Sequence, residues 1–64
     1  MDFNSLSPLA QSLWHTLNEL QPVVHLSITE MAYESANDQQ ISETRRRAYM
    51  EVYEFAKQDS VIPS

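Results

Sequence analysis

His15 and Glu19 stand four residues apart, a spacing that sets an imidazole and a carboxylate on the same side of a helix, where such a pair can ligate a metal ion. Two ligands do not close a coordination sphere. No Cys/His cluster of zinc-finger spacing completes one, because the chain contains no cysteine. The pair reads more simply as polar helix surface, and His25, the other histidine, as a partly buried residue at the start of a helix. Nucleophile candidates are serines and threonines in capping positions, with no base or orienting acid beside any of them. A glycine-rich phosphate loop is excluded because there is no glycine, and the nine acidic residues are too scattered to define an acid/base pair. The expectation is a protein that is not an enzyme and uses no metal, cofactor or small-molecule substrate.

The residues that do stand out are cationic. Ser42 to Phe55 reads SETRRRAYMEVYEF and gathers three of the four basic residues into one helical turn of a chain whose net charge is −5. On a helix this segment presents two polar strips. Glu43, Arg47, Glu51 and Glu54 share one, where Arg47 has a carboxylate four residues away on each side and each pair is worth only about 0.2–0.5 kcal/mol. That strip reads as ordinary solvated surface. Arg46, Met50, Tyr53 and Lys57, spaced i, i+4, i+7 and i+11, share the other, and no acid lies within it. A flexible thioether and an amphipathic ring between two cations suit a binding face.

Positive charge in the first turn of a helix also opposes the macrodipole, by about 0.3–1 kcal/mol for a well-placed charge. Arg45 and Arg46 are therefore expected to find partners outside their own helix. Glu30, Glu34 and Asp38 across the preceding turn are the structural choice; a protein partner bound by Arg45, Arg46, Met50, Tyr53 and Lys57 is the functional one. The alternative is a DNA-binding transcriptional regulator. Helix, turn and ISETRRRAYMEVYEF resemble a helix-turn-helix whose second helix would offer Thr44 and Arg45–Arg47 to phosphates or guanine edges. The segment from Ala32 to Ser42 is longer than the compact turn of that motif, and four basic residues face nine acidic ones.

The elements that would position these residues are helices, since tight primed hairpins want glycine at positive φ. Ser7 is a candidate N-cap and Pro8 suits the first helical position, with apolar residues following from Leu6 through Leu9, Ala10, Leu13 and Leu17 to Leu20. Pro22 is expected to close this helix, giving residues 7–20. The second segment begins ambiguously, because Val24, Leu26 and Ile28 alternate like a strand while Val24, Ile28, Met31 and Ala32 share a helical face. A helix over 22–36, or over 27–37 if Ser27 and Glu30 form a capping box, is expected, with residues 22–28 open between strand and helix. Asn37 would end it in the left-handed conformation. The third helix is expected over 41–57, with Ile41, Ala48, Tyr49, Val52, Phe55 and Ala56 inward.

An all-α, three-helix bundle over residues 1–64 follows, with a short tail at 58–64 whose Val61 and Ile62 would cover the bundle or a neighbouring chain. A single core of this size rarely contributes more than about 3–5 kcal/mol, so small domains add disulfides, metals or a partner subunit. With the first two unsupported, a homodimer is expected. Val23, Leu26 and Tyr33 are the self-association candidates, as a second apolar side of the middle helix if that helix is continuous. The acidic balance disfavours non-specific binding to nucleic acid or anionic membrane, and it would steer encounter with a basic target. No secretory leader or transmembrane run is apparent, so cytoplasmic residence is expected. The overall expectation is a small regulator, adaptor or inhibitor.

Overall fold

A computed structural model describes residues 2–59, and these form three α-helices: α1 (Pro8–Val24), α2 (Ile28–Ala36) and α3 (Glu43–Asp59), preceded by a 3-10 turn at Phe3–Ser5. The all-helical expectation holds, and there is no strand among the described residues. No helix is long and apolar enough to cross a membrane. The expected tail is helical as far as Asp59; Val61 and Ile62 lie outside the described residues.

Serine starts each helix. The Ser7 hydroxyl accepts from the Ala10 N–H at 3.2 Å, the Ser27 hydroxyl from the Glu30 N–H at 3.1 Å, and the Ser42 hydroxyl more loosely from the Arg45 N–H at 3.4 Å. Each bond satisfies one of the orphan donors at a helix N-terminus. Ser27 and Glu30 make only this half of a capping box.

Helix ends depart further from expectation. α1 does not stop before Pro22 but carries it inside, ending at Val24. Proline's fixed φ is compatible with a helix; what it removes is the bond to the carbonyl four residues back, here that of Asn18. Asn18 is exposed, so water can hydrate that carbonyl, and the helix continues. Its terminal N–H bond runs from His25 to the Gln21 carbonyl at 2.9 Å. Residues 22–24 thus complete α1, residues 25–27 link the two helices, and α2 starts at Ile28 after its Ser27 cap, close to the 27–37 alternative. His25 takes the left-handed conformation at φ 60, so the residue expected at the start of one helix terminates another. Asn37 ends α2 at φ −105, outside the left-handed region, and its side-chain amide donates to the Tyr33 carbonyl at 2.8 Å.

Leu6, Ala10, Leu13, Leu17, Met31, Ala32, Ala48, Val52 and Ala56 are buried. Four of these nine are alanine, which lets helix backbones approach closely but contributes little apolar area per residue. α3 is the shared partner: α1 and α2 each pack more extensively on it than on one another. Tyr49 and Phe55 are half-buried on its inward side, and Ile41 lies half-buried in the turn before it.

An aromatic cluster fastens the N-terminal turn. Phe3 meets Trp14 and Phe55 edge-to-face at centroid distances of 5.4 and 5.8 Å. His15 joins the cluster, 5.5 Å from Phe3 and 5.3 Å from Trp14. Its ring is thus engaged with aromatic neighbours, and no group of three or more metal-ligating side chains occurs among the described residues.

Candidate functional site

α3 brings the expected strip together because seventeen consecutive residues hold helical geometry, so Arg46, Met50, Tyr53 and Lys57 follow one another along a single face. The strip is graded in exposure. Met50 is 40% exposed, whereas Arg46 and Tyr53 are half-buried.

Tyr53 is held on two sides. Tyr33 of α2 packs against its ring at 5.3 Å with the planes tilted by 49°, and the Lys57 ammonium lies 5.7 Å from its centroid. Tyr33, expected in a separate self-association face, therefore belongs to this surface and extends it onto α2. It remains 52% exposed, so the tyrosine pair presents a broad amphipathic area to solvent.

At the other end, Arg46 borders a shallow depression of about 280 Å³ shared with Ala36, Glu43, Arg47 and Met50. The Arg46 Nε is buried and has no hydrogen-bond partner. Among the described residues neither Arg45 nor Arg46 makes an ion pair; the one that does is Arg47, whose guanidinium lies 2.8 Å from the Glu43 carboxylate. The expected bridges to Glu30, Glu34 or Asp38 do not form. Asp38 instead accepts from the Gln40 N–H at 2.9 Å, stabilising the turn before α3.

The second strip is not uniformly solvated surface. Glu51 is half-buried and accepts from both the backbone N–H and the hydroxyl of Ser7, at 3.0 and 2.9 Å. Sequence reading assigned Glu51 to Arg47 by spacing. Nothing local signals the Ser7 contact, which depends on how α1 crosses α3.

The other two self-association candidates lie elsewhere. Val23 is on the last turn of α1 and Leu26 in the link to α2, so the break at His25–Ser27 separates them from Tyr33. They belong to a run, residues 18–27, in which every residue is exposed, including Leu20, Val23, Val24 and Leu26. Gln21, Pro22, His25, Leu26 and Ser27 line an open depression of about 470 Å³ there. Leu20 and Val24 were expected inward, on the first and second segments respectively; both instead lie exposed on the last two turns of α1.

The chain matches no protein-family model, no curated protein and no solved structure. Its function is therefore argued from the surface itself.

Proposed function

We propose that this chain is a small, non-catalytic regulator, adaptor or inhibitor that binds a protein partner in the cytoplasm through α3. Arg45 and Arg46 supply charge, Met50 and Tyr53 supply apolar anchorage, and Lys57 flanks them. The observation that carries the reading is the pairing of two arginines lacking carboxylate partners with the exposed Met50 and the Tyr33–Tyr53 pair. Arginine and tyrosine are enriched among residues that dominate binding energy, and a partly desolvated guanidinium with an unmade hydrogen bond gains from a carboxylate brought to it. The partner surface that fits is an apolar pocket bordered by acidic side chains.

The test is capture on the immobilised full chain from native lysate, with and without nuclease, followed by titration of the retained protein. Binding that survives nuclease, weakens modestly with salt and falls at least tenfold in Met50→Ala and Arg46→Ala supports the reading. Capture that vanishes with nuclease and weakens steeply with ionic strength would replace it with DNA binding through Arg45–Arg47.

A further inference from the structure

We infer that the C-terminal end of α1 is an isologous contact surface for a second copy of this chain, with Leu20 and Val24 at its centre and Val23 and Leu26 beside them. The spacing of α1's apolar stripe is the first ground. Ala10, Leu13, Leu17, Leu20 and Val24 follow one another at intervals of three, four, three and four, the seam along which helices pair. The first three members are buried by the rest of the bundle, but Leu20 is 41% and Val24 44% exposed. Among the described residues, the seam runs on beyond the part that the bundle buries.

Charge selects the occupant. Residues 20–29 contain no Asp, Glu, Lys or Arg, so the face offers nothing by which a charged partner would be chosen. Two copies of a chain of net charge −5 repel one another wherever their carboxylates meet, and residues 20–29, between Glu19 and Glu30, contribute no carboxylate of their own. A two-fold contact is the commonest form of self-association and needs one self-complementary patch, which an uncharged apolar ridge beside an open depression supplies.

Stability points the same way. The buried set is nearly half alanine, there is no disulfide, and no metal-ligating cluster occurs among the described residues. A second copy is one device by which so small a core is supplemented. Tyr33 is not part of this surface, and neither are Arg46, Met50 and Tyr53 of the α3 strip.

Sedimentation equilibrium of the full chain over a wide concentration range tests the inference, with helicity followed by circular dichroism. A twofold mass that returns to the monomer value in Leu20→Glu and Val24→Glu, with helicity retained and with Met50→Ala unchanged, is the expected result. A wild-type chain that stays monomeric at millimolar concentration, or a dimer abolished by Met50→Ala but not by Val24→Glu, overturns it. Should the glutamate variants lose helicity, the cysteine-free background allows single thiols instead. Val23→Cys should be joined into dimers by a bismaleimide at dilute concentration while Ser12→Cys is not; equal yields would overturn the inference.

Discussion

Glu51 grips both donors of Ser7: one carboxylate oxygen accepts from its backbone N–H at 3.0 Å, the other from its hydroxyl at 2.9 Å. The same hydroxyl accepts from Ala10 N–H, so it is used as donor and acceptor at once. In a capping box the acid comes from the third residue of the helix itself. Here that residue is Ala10, and the acid arrives from another helix, 44 positions along the chain. The start of α1 and the middle of α3 are thereby one hydrogen-bonded unit.

Glu51→Ala should therefore cost about 1–3 kcal/mol, as expected for hydrogen bonds to a charged acceptor. Ser7→Ala should cost roughly 0.5–2 kcal/mol as a lost cap. The double variant should lose less than the sum, because the two share the same bonds. Thermal unfolding of the four proteins checks this, and strictly additive losses would show that the contact contributes nothing.

Pro22→Ala should raise stability by about 1–2 kcal/mol, since the Asn18 carbonyl regains a helical partner while only part of proline's full interior penalty applies so near the helix end. At about 4–8 °C per kcal/mol for a domain of this size, the shift in midpoint is easily read. An unchanged or lower midpoint would mean that proline's restriction of the unfolded chain is the larger effect.

His25 stands at φ 60, where glycine has no steric penalty and most other residues do. His25→Gly should stabilise by about 1 kcal/mol and His25→Val should destabilise by more than that. Chemical denaturation of both variants decides the matter; the reverse order would place the strain elsewhere.

Tyr33 and Tyr53 should show a coupling of about 0.5–1.5 kcal/mol in a double-mutant cycle on stability, the range for aromatic pairs at this distance. Met50→Ala should cost about 1 kcal/mol, well below the loss at a fully buried methionine, because its side chain is 40% exposed. Together these variants separate the packing role of the strip from its binding role.

Arg47→Ala should likewise stay within about 0.5 kcal/mol of wild type, as its bridge to Glu43 joins two side chains that are 78% and 69% exposed. A larger loss, measured by urea unfolding at two salt concentrations, would reveal a network beyond this pair.

What could be read from the sequence is what short-range physics decides. Ser7–Pro8 and Ser27 mark helix starts because a serine hydroxyl before a periodic apolar run has few better uses. The Ala48–Val52–Ala56 stripe is visible because one helical face must be inward. The strip from Arg46 to Lys57 follows from the same periodicity. Pro22 misled because its penalty is local and small where the carbonyl it orphans faces water. His25 was missed because a chain without glycine must still end its helices, and no rule of spacing names which residue takes the left-handed position. The contacts of Glu51 with Ser7 and of Tyr33 with Tyr53 are set by how helices cross, which composition and periodicity do not encode.

Of the three described helices, the one on which both others depend is made after them. A ribosome delivers Leu13, Leu17 and Met31 before Val52 exists to cover them. The apolar stripes of α1 and α2 therefore have no native cover until residues 43–59 have been made, and native docking waits on them.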